Sequence, residues 1–81
     1  MRYELLFGNR ALKDLRKLDK SVSKRVVDKV EGLTDNLGGD VKKLTDHSPH
    51  YRLRVGDIRV LFDIDDSTIF IQRVLNRREA Y

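Results

Sequence analysis

The stretch Tyr51-Arg52-Leu53-Arg54-Val55-Gly56-Asp57-Ile58-Arg59-Val60-Leu61-Phe62 decides the fold, because it predicts two β-strands joined by a tight turn. Apolar and polar residues alternate along it, as they do in a strand with one buried face. Gly56 and Asp57 suit the turn, since glycine adopts positive φ and aspartate tolerates turn geometry. A two-residue loop predicts four cross-strand pairs: Val55 with Ile58, Arg54 with Arg59, Leu53 with Val60, and Arg52 with Leu61.

That pairing groups Arg52, Arg54 and Arg59 on one face of the hairpin, opposite most of its apolar residues. Like charges directly across a strand pair destabilise it by some tenths of a kcal/mol. Guanidinium groups bind phosphate through paired hydrogen bonds and keep their charge at any relevant pH. The cluster therefore indicates an anion-binding surface, and the alternative is a solvated, charged sheet face.

A strand and a helix are predicted before the hairpin. Apolar residues alternate over residues 2–7, which indicates the strand. Asn9 is the expected N-cap of a helix over residues 10–18. Lys13 and Lys17 lie on the solvent side of this helix. Its apolar stripe consists of Ala11, Leu12, Leu15 and Leu18.

A second helix is expected from about Val22 to Leu37, with Asp19 or Ser21 as its cap and Gly38-Gly39 at its end. Its apolar residues recur at steps of three and four: Val22, Val26, Val30, Leu33 and Leu37. The short connection makes the two helices an antiparallel helical hairpin. In the stretch from Asp40 to His50, Val41 and Leu44 are candidates for packing, and Asp46-His47-Ser48-Pro49 indicates a loop leading into the sheet.

One more strand follows the hairpin. The second hairpin strand runs to about Asp65, and a turn over residues 65–67 leads into a last strand from Thr68 to Leu75. Phe70 and Gln72 then fall on the arginine face. Arg73 falls on the core-facing side of the alternation, and it is expected to form a salt bridge near a strand end. The order β-α-α-β-β-β predicts an α+β fold, in which the helices pack on one face of a three-stranded antiparallel meander.

Composition narrows the class of protein. The chain has 81 residues, which predicts a single domain, and its net charge of +4 favours acidic or polyanionic partners. It has no cysteine, so disulfides are excluded and a reducing cytoplasm is the default location. No apolar run approaches the roughly 20 residues of a membrane-spanning helix, and no signal peptide is expected.

Most familiar catalytic arrangements lack support. His47 and His50 flank Ser48 in one loop, where a polar loop is a simpler interpretation than a hydrolase triad. Asp46 with the two histidines is weak evidence for a metal site, so no metal and no cofactor is expected. Asp63, Asp65 and Asp66 lack the spacing of a calcium loop and are interpreted as a solvated turn. The arginine face, with Phe70 and Tyr81 available to stack on a base, favours RNA binding or metal-free RNA cleavage.

The sequence resembles the RelE branch of the RelE/ParE toxins in two stretches. These are the hairpin and the tail Val74-Leu75-Asn76-Arg77-Arg78-Glu79-Ala80-Tyr81. The first strand and residues 11–15 agree, so the resemblance covers nearly the whole chain, 1–81. It implies the toxin of a type II toxin–antitoxin pair, which cuts mRNA in the ribosomal A site without a metal. The implied partners are the ribosome, mRNA and a cognate antitoxin, which is expected to present an acidic or amphipathic segment.

The resemblance also implies roles for single residues. Arg52, Arg54, Arg59, Arg77 and Tyr81 match the catalytic set of the RelE branch by position, and Lys13, Lys17 and Phe70 are expected to contact substrate. Three positions depart from the pattern of many relatives. Arginine stands at 52 and 54 where they have lysine, and Asn76 stands where they have histidine. His50 is the remaining candidate for a general base, and the alternative is an ordinary loop histidine.

Two other functions stay open. A ParE-branch toxin that inhibits gyrase shares the fold, but it has no need of the arginine cluster or of Tyr81. A catalytically weak module that only binds its antitoxin is the other alternative, and the departures at positions 52, 54 and 76 motivate it.

Overall fold

The computed structural model describes residues 2–35, 37, 40–44 and 49–80. The predicted α+β class, the helical hairpin and the three-stranded meander are confirmed. A strand over residues 40–43 and a short C-terminal helix were not predicted. The elements in chain order are β1 Glu4–Phe7, α1 Asn9–Lys17, α2 Lys20–Gly32, β2 Asp40–Lys43, β3 Tyr51–Val55, β4 Ile58–Asp65, β5 Thr68–Asn76 and α3 Arg77–Ala80.

The strands form one mixed sheet in the order β1-β5-β4-β3-β2. β1 runs parallel to β5, and the other neighbours are antiparallel. All four cross-strand pairs predicted for the hairpin are present. Gly56 has a φ of 58°, the left-handed value that makes glycine suitable for this turn.

Both helices pack on one face of the sheet, where the core lies. Val26, Val30 and Leu33 are fully buried, as the stripe of the second helix predicts. Leu12, however, is 39% exposed, so its assignment to the stripe of the first helix is wrong. The buried side chains that α1 contributes are Ala11 and Asp14.

The helix limits differ from the predicted ones. α1 begins at Asn9, with Gly8 as the capping residue, so Asn9 is not the N-cap. α2 ends at Gly32 rather than at Leu37. Beyond its end, Tyr3 donates its backbone N–H to the carbonyl of Thr34 at 2.8 Å, so the chain after the helix pairs with the N-terminal segment. Gly38-Gly39, the predicted end of the second helix, lies outside the described residues.

A β-bulge in β5 changes which side chains face the core. Phe62 pairs with Ile71 and Leu61 pairs with Arg73, which leaves Gln72 as an extra residue. Beyond it, Val74 enters the core opposite Val60. The prediction that Arg73 continues the core-facing alternation is therefore wrong, while its predicted salt bridge is confirmed. Its Nε donates to Asp14 Oδ2 at 2.8 Å.

The described helices include none that is long and apolar enough to cross a membrane.

Candidate functional site

The arginine face of the hairpin lies opposite the helical layer. Strand pairing brings Arg52, Arg54 and Arg59 to this face, with Arg54 exposed and the other two half-buried. β2 adds an exposed lysine, because Lys42 pairs with Arg52. On the same face, Leu61 and Leu75 form a small buried cluster against Leu44. The open face thus combines cations with an apolar floor, where charges interact more strongly than in bulk water.

Arg59 is held against the hairpin turn. Its Nη1 donates to the carbonyl of Gly56 at 2.7 Å and to that of Ile58 at 3.1 Å. A guanidinium has five N–H donors, and both of these bonds use Nη1. The turn therefore fixes the position of one cation on this face.

The C-terminal tail is attached to the same turn. Arg77 donates its backbone N–H to the carbonyl of Asp57 at 2.8 Å, so α3 starts beside the hairpin. Asn76 Oδ1 accepts the N–H of Arg78 at 3.2 Å and thereby caps this short helix. Asp57, Asn76, Arg77 and Arg78 line an open pocket of about 570 Å³. Arg59 and Arg77, far apart in sequence, are thus both bonded to residues of one two-residue turn.

Of the other predicted substrate contacts, Tyr81 lies outside the described residues. Lys13 and Lys17 are exposed on α1, which belongs to the helical layer rather than to the arginine face. Lys17 nevertheless borders a pocket of about 380 Å³ that Arg25, Asp57 and Asn76 also line.

Phe70 lies on the open face, as predicted, and is 43% exposed. Its neighbour across the β1–β5 pair, Leu6, is 52% exposed. A Cβ placed on Gly8 would lie 3.5 Å from Cε1 of Phe70, so the ring rests against the end of β1. The two side chains form an exposed apolar pair beside the charged part of the face.

His50 belongs to the same face and has a carboxylate partner. Asp63 Oδ1 lies 2.9 Å from His50 Nδ1 and accepts the backbone N–H of His50 at 2.7 Å. Gln72, the bulge residue, donates to Asp63 Oδ2 at 2.8 Å. Asp63 is thus part of a strand and not of a solvated turn, which corrects that interpretation. The other predicted loop residues, His47 and Asp46, lie outside the described residues.

Asp14 joins the helical layer to β5 near the tail. Its carboxylate accepts bonds from Arg73 and from the backbone N–H of Val74 at 2.9 Å. Burial alone would raise the pKa of Asp14, but the bond from Arg73, the bond from Val74 and the charges of Arg73 and Lys17 outweigh it, so the pKa is lowered. β1 pairs only with residues 68–71 of β5, and Asp14 takes up a backbone donor beyond that point.

Comparison with known proteins assigns the chain to a family. Residues 5–81 match the family described as ParE toxin of type II toxin-antitoxin system, parDE. The chain belongs to the RelE/ParE toxins. It is 30% identical to toxin RelE3 of Methanocaldococcus jannaschii, over 96% of this chain and 94% of that protein.

Solved structures of RelE/ParE toxins share the fold. The toxin is similar to a chain of the RelB-RelE antitoxin-toxin complex from Methanococcus jannaschii, with 31% identity, a TM-score of 0.78 and 94% of both chains covered. It is also similar to a chain of the RelBE2 toxin-antitoxin complex from Mycobacterium tuberculosis. In that case the identity is 29%, the TM-score is 0.82, and the match covers 95% of this chain and 100% of the other.

The sequence pattern of this RelE/ParE toxin did not reveal the roles of Lys42, Asp63 and Asp14. A signal existed for Asp63, because continuing the predicted pairing beyond Arg52 and Leu61 places His50 opposite it. A signal also existed for Asp14, which follows Ala11 by three positions and so shares its side of the helix. Alternation predicted that Gln72 lies on the arginine face, but it does not reveal the bulge or the bond to Asp63. Within the described ranges, no three His, Asp or Glu side chains are grouped as a metal site would require.

Proposed function

We propose that this toxin is a metal-independent endonuclease that cuts mRNA in the A site of the ribosome. The observation that supports the proposal most is the attachment of Arg59 and Arg77 to the turn at Gly56-Asp57. Both lie at the end of an open sheet face that also carries Arg52 and Arg54. The ribose 2′-hydroxyl attacks the adjacent phosphate and leaves a 2′,3′-cyclic phosphate and a 5′-hydroxyl.

The guanidinium groups have a defined task in this reaction. The phosphate gains negative charge in the transition state, and preorganised N–H donors stabilise that charge without reorganising. Arg59 is preorganised by its bonds to the turn, while Arg77 is exposed at the rim. Phe70 offers a face on which a base can stack, a contact worth about 1–3 kcal/mol. Tyr81 is proposed as a second stacking residue from its position in the family pattern.

The partner in the cell is proposed to be an antitoxin of the RelB type. Two similar toxins are known in complexes with RelB proteins. The exposed pair of Leu6 and Phe70, next to a cationic face, suits an amphipathic segment that carries acidic side chains. Occupation of this face by the antitoxin would keep mRNA away from the arginines.

The test is cleavage of mRNA on programmed ribosomes by purified toxin. Arg77→Ala and Arg59→Ala are each expected to slow cleavage by about 100-fold or more, because each removes a charged donor from the transition state. Arg16→Ala is the matched control, since Arg16 is an exposed arginine on the helical layer. It is expected to cut at the wild-type rate. Cleavage that persists in the Arg59→Ala, Arg77→Ala double variant would refute the assignment of these arginines to the cleavage site.

Inhibition of DNA gyrase is the second candidate, and the family match to ParE toxins favours it. The two functions separate in a supercoiling assay run beside the ribosome assay. Gyrase inhibition without mRNA cleavage would reverse the order of the two candidates. Absence of both activities, with antitoxin binding retained, would identify a binding module.

A further inference from the structure

His50, Asp63 and Gln72 form a continuous hydrogen-bonded chain that runs from the residue before β3 to β4 and β5. Asp63, in β4, binds the His50 ring and backbone through Oδ1. Its Oδ2 receives the amide of Gln72 in β5. The carboxylate therefore has bonds on both sides and cannot rotate without breaking one of them. Asp63 therefore holds the imidazole of His50 in place, and Gln72 holds Asp63 in place.

The carboxylate decides where the neutral imidazole carries its proton. An ionised carboxylate only accepts hydrogen bonds, so Nδ1 must donate to Asp63 and the lone pair remains on Nε2. The His50 side chain is 59% exposed, whereas that of Asp63 is 26% exposed. Nε2, on the far side of the ring from Asp63, is thus the acceptor that a substrate can reach.

The imidazole also stands in line with the arginines. His50, Arg52 and Arg54 occupy alternate positions on one face, about 6.6 Å apart at each step. Phe70 pairs with Asp63 on the neighbouring strand, so the exposed ring lies beside the carboxylate that holds His50. A nucleotide stacked on Phe70 would have its ribose near His50 and its phosphate toward Arg52.

We propose that His50 is the general base of the cleavage, with Asp63 as its positioning residue and Gln72 holding Asp63. This rests on the proposed function, and it supplies what the arginines lack, because a guanidinium does not release its proton in proteins. His50 Nε2 takes the proton of the 2′-hydroxyl as the O2′–P bond forms. The P–O5′ bond breaks, and the 5′-oxygen leaves with a proton from water. The imidazolium then returns its proton to the resulting hydroxide.

The first test needs no ribosome. ¹⁵N NMR of the histidine ring nitrogens in the wild-type toxin is expected to show the neutral His50 ring protonated at Nδ1. The Asp63→Ala variant is expected to lose this preference, while Asp65→Asn, which changes an exposed carboxylate farther along β4, keeps it. A ring protonated at Nε2 in the wild-type toxin would overturn the positioning role of Asp63.

The second test measures single-turnover cleavage on programmed ribosomes. His50→Gln is expected to slow the step by about 100-fold or more, with unchanged binding to the ribosome. Asp63→Asn, which keeps the shape and an acceptor for the His50 backbone, is expected to lose part of the same factor, and Asp65→Asn none. Imidazole added to the buffer is expected to restore cleavage by His50→Gly but not by Arg77→Ala.

The outcomes separate the two proposals. If the wild-type toxin cuts mRNA and His50→Gln cuts at the same rate, His50 is not the base and the endonuclease function stands. If Asp63→Asn behaves as wild type while His50→Gln is slow, Asp63 has only a structural role. If the wild-type toxin does not cut mRNA at all, both the endonuclease function and the role of His50 as its general base are refuted.

Discussion

Asp14 is a single residue on which the attachment of β5 to the helical layer depends. It is 7% exposed, yet its carboxylate holds both the side chain of Arg73 and the backbone of Val74. Hydrogen bonds to a charged group contribute about 1.5–3 kcal/mol, more than bonds between neutral groups. Since Val74 lies two residues before Asn76, the same contact positions the start of the tail.

Asp14→Asn is expected to lower the free energy of unfolding by about 1–3 kcal/mol at neutral pH. Because the pKa of Asp14 is lower in the folded than in the unfolded toxin, its contribution is complete above the unfolded pKa of about 3.8. It is lost as the pH falls through the folded value. Denaturant unfolding at a series of pH values should therefore show the gap between wild type and variant closing in acid.

The matched control is Asp28→Asn, which changes an exposed carboxylate on α2. It is expected to alter the free energy of unfolding by less than about 0.5 kcal/mol at every pH. A gap between wild type and Asp14→Asn that stays constant down to strongly acidic pH would contradict the assignment of a lowered pKa to Asp14.

At the scale of elements, the hairpin turn organises the candidate site. Its carbonyls accept hydrogen bonds from the guanidinium of Arg59 and from the backbone N–H of Arg77, and Gly56 has a left-handed φ. A Cβ at Gly56 would lie 2.6 Å from Nη2 of Arg25, the end of a side chain from α2. Three separate elements therefore converge on one two-residue loop.

Gly56→Ala is expected to lower the free energy of unfolding by about 1–2 kcal/mol, the cost of a left-handed conformation for a residue with a Cβ. Arg25 must also move its guanidinium. Gly32→Ala is the control, because a Cβ there meets nothing within 4 Å and the residue ends a helix. That change is expected to be neutral or mildly stabilising. Equal denaturation midpoints for the two variants would argue against conformational strain at the turn.

At the scale of the whole molecule, the two faces of the sheet differ: one packs against the helices, and the other is open and is proposed to bind partners. One face is covered by α1 and α2 and holds the main core, while the other keeps its cations and the exposed pair of Leu6 and Phe70. The net charge of +4 adds a general attraction for acidic partners. The proposed antitoxin and the proposed RNA substrate would compete for the same open face.

Binding of the antitoxin is expected to weaken as salt rises from about 0.05 M to about 0.5 M, because mobile ions screen exposed charges over these concentrations. Leu6→Ser is expected to weaken binding equally at all salt concentrations, since it removes apolar contact area alone. Isothermal titration with a RelB-type antitoxin measures both effects. An affinity of the wild-type toxin that does not change with salt would refute the electrostatic part of the interaction.

The sequence by itself determined the features that depend on local periodicity. Alternation set the register of the hairpin and the shared face of Arg52, Arg54 and Arg59. Steps of three and four residues identified the buried stripe of α2, and a glycine identified the turn. These patterns were readable because a residue's environment in a strand or helix repeats with a fixed period.

The tertiary structure alone decided the features that depend on contacts between distant segments. The bulge at Gln72 moved each residue after it to the opposite face of the sheet. Regular alternation along a strand does not predict where a bulge occurs. The strand at residues 40–43 exists because the edge of β3 offers it backbone partners. Arg73 donates a hydrogen bond to Asp14, which precedes it by 59 positions in the sequence. The tail is bonded to the hairpin turn through the backbone N–H of Arg77. Such contacts are set by how whole elements pack, and no short stretch of sequence encodes them.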